Sequence, residues 1–328
     1  MKSEGLVAYW TIVRTGSRDD WEPGHSGFAH FVEHMMCRGT EKFPQDVYGE
    51  LTTKRGADTN ADTTDDLPAY HLSITKDDLE GVIEIESDRF MNLSYSEDVF
   101  QTEAGAVYGE YRKNRMNPFF AVFEAIHQRA FDKHTYGHTT MGYEADIKAM
   151  PTMYEYSKEF HRRYYRPENC VVIVAGDIDA DATLGLVKKY YGDWKRGYVE
   201  PKIEAEPVQN GERTVEVSYE GQTLPIVWIG YKNRAFDPGS REWVAAYVMA
   251  SLAFGETSEV YKKLVLEEQK VEFVAAQQGM NRDPKLFSIY TRIKDPADVD
   301  SVRAELDATV DRFREEPVDA DRLAAAKS

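Results

Sequence analysis

The stretch Gly27-Phe28-Ala29-His30-Phe31-Val32-Glu33-His34-Met35 carries the pattern that decides how this chain of 328 residues folds and what it binds. On a helix, His30 and His34 are four residues apart and project from one face. Two imidazoles at this spacing can bind one tetrahedral zinc ion. Glu33 lies three residues from His30 on the same side, where a carboxylate can act as a general base.

Short motifs also arise by chance, and a lone His on a helix is usually structural. The neighbouring residues favour metal binding, because Phe28, Phe31, Val32 and Met35 form an apolar stripe at helical spacing. The two His and the Glu fall together toward one edge of that stripe. The order His-x-x-Glu-His is the inverse of the commoner His-Glu-x-x-His and is the inverzincin pattern. The motif therefore predicts a hydrolytic zinc site.

Composition and charge exclude several classes of function. Hydrophobic residues make up 42% of the chain, which is typical of a globular protein. The formal net charge is -17, which argues against a nucleic-acid partner and against adhesion to an anionic membrane. The same charge favours basic substrates.

The remaining global features concern cysteines, membrane spans and targeting. Cys37 and Cys170 are the two cysteines and are interpreted as core thiols, since neither lies in a metal-type pair. No uninterrupted apolar stretch approaches 18 residues, so no membrane span is expected. The start Met1-Lys2-Ser3-Glu4-Gly5 lacks the features of a signal peptide, and a soluble cytoplasmic or periplasmic location is left open.

Hydrophobic periodicity predicts strands mixed with helices in both halves of the chain, which indicates an α+β fold. A dense run of Asp, Asn and Thr at 56–66 is predicted to be a loop. The predicted strands are 6–14, 68–74, a buried strand at 170–175, 214–218, 226–231, 273–279 and 286–293. Helices are predicted at the motif and at 46–54, 75–90, 96–116, 120–131, 153–164, 181–194, 240–253, 256–268 and 297–313.

A catalytic zinc ion needs a third protein ligand and an open position. Because a Cys ligand is not expected, the candidate is a carboxylate on a nearby helix. Glu103 and Glu110 are seven residues apart and share one face of the helix predicted at 96–116. The alternative is that both are solvated surface carboxylates, which is the usual fate of Glu.

The residues resemble those of the M16 (pitrilysin/insulinase-type) metallopeptidases, which include the mitochondrial processing peptidase and its bacterial relatives. The resemblance covers essentially the whole chain and is most specific in the first 200 residues. The segments that carry it are Gly16-Ser17-Arg18, Gly27 to Met35, Arg38-Gly39-Thr40, Gly56 to Ala61 with Tyr70, Glu103 to Glu110, His134 to Gly137, Tyr164 to Pro167 and Gly176-Asp177.

The resemblance implies a role for each matching residue. One zinc ion per chain would be bound by His30, His34 and Glu110, with Glu33 as the general base that takes a proton from water. Glu103 would be a supporting carboxylate of the site. An edge strand that pairs with the backbone of the peptide substrate would include Asn60 and Ala61.

The resemblance also implies the domain organisation. The fold would consist of two homologous LuxS/mitochondrial-processing-peptidase-like metallohydrolase domains, each a mainly antiparallel sheet packed with helices. Gly, Pro and Glu accumulate without periodicity at 196–211, and the predicted domains are a zinc-bearing domain at 1–200, a linker at 201–211 and an inactive second domain at 212–328. The second domain is expected to be incomplete and the chain to be a fragment or a short member.

One departure from the family bears on the mechanism. In active members the half opposite the zinc carries an Arg and a Tyr that help to stabilise the tetrahedral intermediate. The corresponding positions here are Val265 and Glu272, whose side chains cannot donate a hydrogen bond to an oxyanion. The expected function is a zinc endopeptidase acting as one half of a homo- or heterodimer. The alternatives are a non-catalytic structural or assembly subunit and an inactive fragment.

Overall fold

The computed structural model describes residues 4–54 and 56–327, which form helices and two antiparallel sheets. About half of the chain, 49%, is helical, and the predicted α+β class is confirmed. Residues 1–3, 55 and 328 lie outside the described residues. The first four of these belong to the predicted zinc-bearing domain, and the last belongs to the predicted second domain. No described helix is both long enough and apolar enough to cross a membrane.

The chain forms two compact units. The first contains the described residues up to Asn114 together with Phe131–Val208, and the second contains Arg115–Ala130 and the residues from Gln209 onward. The predicted division into homologous domains at 1–200 and 212–328 stays a prediction. The helices in chain order are α1 Phe28–Met36, α2 Gln45–Lys54, α3 Leu79–Asn92, α4 Glu97–Arg115, α5 Pro118–Ala130, α6 Glu144–Ala149, α7 Tyr154–Tyr164, α8 Ala180–Tyr191, α9 Arg241–Phe254, α10 Glu259–Tyr261, α11 Val299–Glu315 and α12 Ala320–Lys327.

The first unit contains a four-stranded antiparallel sheet in the order β2-β3-β1-β4. Along β1, alternate residues from Val7 to Val13 are buried, as expected for a strand with one covered face. A core cluster joins the buried side of this sheet to α3. The strands are β1 Leu6–Val13, β2 Asp58–Thr63, β3 Pro68–Thr75 and β4 Cys170–Gly176.

Two predictions about these strands were wrong. The predicted loop at 56–66 contains β2, which pairs with β3 from Asp58↔Ser73 to Thr63↔Pro68. Asp and Asn are depleted in strands, but β2 is an edge strand whose side chains are mostly exposed, so burial does not select against them. The strand predicted as buried at 170–175 is also at an edge of the sheet, and Val171 and Ile173 are each 44% exposed.

The second unit contains a three-stranded antiparallel sheet in the order β5-β7-β6. Read from its other edge, this sheet places the second, third and first strands of its unit side by side, as β2-β3-β1 does in the first unit. Its strands are β5 Ile226–Lys232, β6 Val271–Gln278 and β7 Leu286–Ile293. The strand predicted at 214–218 is wrong, because these residues form no ladder with a partner strand. The helix predicted at 256–268 is present as α10 followed by one π-helical stretch, Lys262–Glu267.

Candidate metal centre

The first turn of α1 is fixed by contacts from outside the helix. The Asp20 carboxylate accepts hydrogen bonds from the backbone N–H groups of Gly27 (2.9 Å) and Ala29 (3.1 Å), which otherwise have no partner within the helix. Gly27 has a φ of 90°, and a Cβ there would lie 2.4 Å from the carbonyl oxygen of Met141. A glycine is therefore required where the motif helix begins.

The apolar stripe of α1 is buried as predicted, and the polar residues of the motif lie beside it. Phe28, Phe31, Val32 and Met35 are almost completely inaccessible to solvent. The His, Glu and His of the motif are buried or half-buried at the edge of this stripe. The stripe anchors α1 in the core, so the orientation of the polar edge is determined by the packing of the whole helix.

Three side chains meet at this edge. The Nε2 atoms of His30 and His34 are 3.3 Å apart, and Glu110 Oε2 lies 3.8 Å from the first and 3.4 Å from the second. Zinc bonds of about 2.0–2.1 Å at tetrahedral angles require ligand atoms separated by about 3.3–3.4 Å. The triangle therefore has the size that a tetrahedral zinc ion needs. Within 4–54 and 56–327, this is the only such group of His, Cys, Asp and Glu.

The triangle is buried on one side and accessible on the other. His30 is 9% exposed, whereas the Glu110 side chain is 38% exposed. Glu110 faces the two imidazoles from this accessible side, and Glu103 is more deeply buried, with a side chain that is 5% exposed. A catalytic zinc site needs this combination of fixed ligands and an accessible side.

Glu103, on α4, contacts the second histidine of the motif. Its Oε1 lies 2.8 Å from His34 Nδ1, and its Oε2 accepts a hydrogen bond from Arg38. A carboxylate bound to Nδ1 fixes the tautomer in which Nε2 is free to bind a metal. The pKa of the Glu103 carboxyl, which burial alone would raise, is lowered by His34 and Arg38.

The two imidazoles have opposite electrostatic environments. Burial, together with the neighbouring His34, lowers the pKa of His30 to about 4. Burial also acts to lower the pKa of His34, but the hydrogen bonds to Glu103 and Glu110 outweigh it and raise that pKa to about 9. In the absence of a metal, a proton on His34 thus offsets the charge of its two carboxylate neighbours.

Glu33 lies next to the edge strand β2. Its Oε2 accepts a hydrogen bond of 2.6 Å from the Thr63 hydroxyl. Burial raises the pKa of the Glu33 carboxyl, and the Thr63 hydrogen bond partly opposes that rise. A carboxylate whose pKa is shifted upward toward neutrality is suited to accepting a proton.

The predicted substrate-binding residues Asn60 and Ala61 lie in the middle of β2. They pair with His71 and Tyr70 of β3, and β2 has no partner strand on its other side among the described residues. The backbone on this open side is available to an added strand. Sequence reasoning gave Arg38, Thr63 and Asp20 no role. For Arg38, the available signal was its place in the Arg38-Gly39-Thr40 segment of the resemblance, just beyond the motif helix.

The two positions of the predicted departure lie in the second unit. Val265 packs against the hydrophobic core of that unit from within the π-helical stretch. Glu272 lies on β6, where its Oε2 accepts a hydrogen bond of 3.1 Å from Arg292. Neither side chain supplies a donor that could stabilise an oxyanion.

A helix bearing His-x-x-Glu-His, with both imidazoles facing a carboxylate from a second helix, is the arrangement of the inverzincin class of zinc peptidases. Two family models match the sequence. One is described as Insulinase (Peptidase family M16) and covers residues 2–144, and the other is described as Peptidase M16 inactive domain and covers residues 153–328. The chain belongs to peptidase family M16.

Individual relatives agree with this assignment. The chain is 25% identical over 316 residues to the zinc protease PqqE of Helicobacter pylori, and the match covers 94% of this chain and 70% of that protein. It is 25% identical over 213 residues to the mitochondrial-processing peptidase subunit beta of Dictyostelium discoideum, covering 64% of this chain and 45% of that protein. The chain thus spans less than half the length of the second relative.

The fold also matches a solved structure. The crystal structure of a protease from Helicobacter pylori superposes with a TM-score of 0.92 and 24% sequence identity, covering 99% of this chain and 79% of that chain. At this level of identity the match shows the fold alone. This match confirms the predicted fold, in which antiparallel sheets are packed with helices.

Proposed function

We propose that this chain is a zinc-dependent endopeptidase that hydrolyses peptides or unfolded polypeptide segments. The observation that carries the proposal is the triangle of His30, His34 and Glu110, whose sides of 3.3–3.8 Å suit one tetrahedral zinc ion per chain. The relatives named zinc proteases support the choice of metal.

The side chains around the triangle support a hydrolytic role. Zinc at this site would supply Lewis acidity, which polarises a peptide carbonyl and makes water more acidic. Glu33 would take the proton of the attacking water and deliver it to the leaving amine. The Thr63 hydroxyl, which donates to Oε2 of Glu33, would hold this carboxylate in place.

The substrate would bind as an added strand on β2. Hydrogen bonds to the backbone of Asn60 and Ala61 would align an extended peptide beside Glu33, since Thr63 at the end of the same strand contacts Glu33. Recognition through the backbone selects extended, unfolded segments rather than one particular side chain. The exposed Asp58 and Asp62 on the same strand would favour basic residues in the substrate.

A second family half would complete the enzyme. Val265 and Glu272 supply no oxyanion donor, so an Arg and a Tyr would come from a homo- or heterodimeric partner. Titrating a second family chain into the peptidase assay should increase the rate at constant zinc content. No gain in rate at any ratio of the two chains would contradict this part of the proposal.

The proposal is tested by zinc binding and peptide hydrolysis together. The purified chain should bind one zinc ion and cleave a quenched peptide library, and a chelator should abolish cleavage. His30→Ala should lose both properties, whereas His25→Ala, which changes a half-buried His whose ring nitrogen contacts Pro23, should keep both. A wild-type chain that binds no zinc, or cleavage that a chelator does not inhibit, would contradict the proposal.

The second candidate is a non-catalytic structural or assembly subunit. The observation that favours it is the absence of donor side chains at Val265 and Glu272. The intact ligand triangle favours the enzyme, since a purely structural subunit does not need it. Zinc binding without hydrolysis under every condition, including with a second half present, would support the structural role.

A further inference from the structure

Arg38 connects the end of the motif helix to the carboxylate that contacts His34. It lies two residues beyond the end of α1, and its backbone N–H donates to the carbonyl oxygen of Met35 at 2.8 Å. Its guanidinium Nη2 donates to Oε2 of Glu103, and Oε1 of the same carboxylate lies 2.8 Å from His34 Nδ1. A continuous series of contacts therefore runs from Arg38 through Glu103 to His34.

The burial of Glu103 explains why this arrangement matters. The Glu103 side chain is 5% exposed, and a buried carboxylate is stable only when both oxygens are compensated. His34 contacts one oxygen and Arg38 contacts the other. A guanidinium presents planar donors in a fixed geometry, so it also determines how the carboxylate is rotated.

We propose that Arg38 is a positioning residue of the metal centre, which acts through Glu103 to hold the His34 ring with Nε2 directed at His30 and Glu110. The inference rests on the proposed function, since it assumes that the triangle binds zinc. Partners of this kind around a zinc-bound His typically change metal affinity about 10–100-fold when they are removed.

A simpler explanation is that Arg38 only ties α1 to α4 and contributes to stability. The two explanations predict different effects on zinc affinity in a double-mutant cycle. A residue that acts through Glu103 has nothing left to act on once that carboxylate is removed. A residue that only stabilises the fold lowers the unfolding temperature when it is replaced and leaves the zinc affinity of the folded protein unchanged.

The experiment measures zinc dissociation constants by competition with a chromophoric chelator, with thermal unfolding recorded for every variant. Arg38→Met should weaken zinc binding about 10–100-fold. Arg38→Lys keeps the charge without the planar geometry and should weaken it less. Arg112→Met is the matched control, because Arg112 is an exposed arginine on α4, the helix of Glu103, and its guanidinium lies over Tyr108. The control should bind zinc as the wild type does.

The cycle with Glu103→Gln decides the mechanism. Adding Arg38→Met to Glu103→Gln should change zinc affinity by less than about twofold. Equal zinc affinity of folded Arg38→Met and wild type, or losses that multiply in the double variant, would overturn the inference. If Arg38→Met does not fold, Arg38→Lys takes its place in the cycle, because it keeps a charge beside Glu103, and a wild-type zinc affinity of Arg38→Lys would then overturn the inference. A wild-type chain without zinc affinity would instead refute the proposed function.

Discussion

The replacement of Thr63 by Val tests whether the edge strand orients the proposed general base. The Thr63 hydroxyl donates to Glu33 Oε2 at 2.6 Å, and Val has nearly the same shape without the hydroxyl. A hydrogen bond to a charged group contributes about 1.5–3 kcal/mol. If that contribution is lost in the transition state, kcat/KM should fall about 10–150-fold. Zinc content should not change, because Thr63 contacts none of the three proposed ligands.

The assay compares kcat/KM for a quenched peptide between zinc-loaded variants. Thr63→Ser keeps a hydroxyl and should recover most of the rate. Thr59→Val makes the same chemical change at an exposed position of β2 and should have little effect. A Thr63→Val variant with wild-type kcat/KM and normal zinc content would refute the idea that this hydrogen bond orients Glu33.

Three further predictions concern stability. Arg89→Met should lower the free energy of unfolding by about 3–5 kcal/mol in urea titrations, because it leaves Glu86 as an unpaired charge in the core. The Glu86 side chain is 1% exposed and its Oε2 lies 2.5 Å from Arg89 Nη2. A loss below about 1 kcal/mol would contradict this. Gln269 has a φ of 53°, a left-handed conformation that costs free energy for a residue with a Cβ but not for glycine. Gln269→Gly should therefore raise the free energy of unfolding by about 0.5–1 kcal/mol in the same measurement, and a decrease would contradict this reasoning. Burial lowers the pKa of His138, so the unfolded chain takes up a proton there that the folded protein does not. This one residue therefore lowers the stability below about pH 6.5 by up to about 1.4 kcal/mol per pH unit, in addition to the contributions of other buried groups. His138→Gln should flatten this slope in urea titrations between pH 6.5 and 5; an unchanged slope would contradict the assignment.

The sequence predicted most helices because their periodic apolar stripes depend on local spacing. The stripe of α1 is buried where the spacing indicated, and α3 and α4 lie close to their predicted bounds. In α3 the apolar positions Leu79, Val82, Ile83 and Phe90 are spaced as one stripe, which Glu86 interrupts; its charge is compensated in the core by Arg89. The spacing of apolar residues predicts which positions are buried, but it does not show that a Glu at a buried position has a charged partner.

Edge strands were predicted less well because their pairing is decided by distant residues. The strand β2 is rich in Asp, Asn and Thr, and only its ladder with β3 makes it a strand. The segment at 214–218 has suitable composition but pairs with no strand in the described part of the chain. The family resemblance placed Asn60 and Ala61 on a strand where the composition of 56–66 indicated a loop.

The candidate site was predicted in its main residues but not in its supporting contacts. The spacing of His30 and His34 is local, whereas the choice between Glu103 and Glu110 required the resemblance. Their different positions are clear only in the fold, where Glu110 Oε2 faces both Nε2 atoms and Glu103 contacts Nδ1 of His34. The role of Arg38 depends on a contact across 65 residues of sequence, which no motif records.

The most direct test of the proposed zinc peptidase is a comparison of wild type with Glu33→Gln, measuring zinc content and hydrolysis of a quenched peptide on the same samples. Both proteins should contain one zinc ion per chain, since Glu33 is not one of the three proposed ligands. Hydrolysis should fall about 10²–10⁴-fold in Glu33→Gln, because the amide cannot accept the proton of the attacking water. Equal hydrolysis by the two proteins, with or without a second family half, would contradict the assignment of Glu33 as the general base of a zinc peptidase.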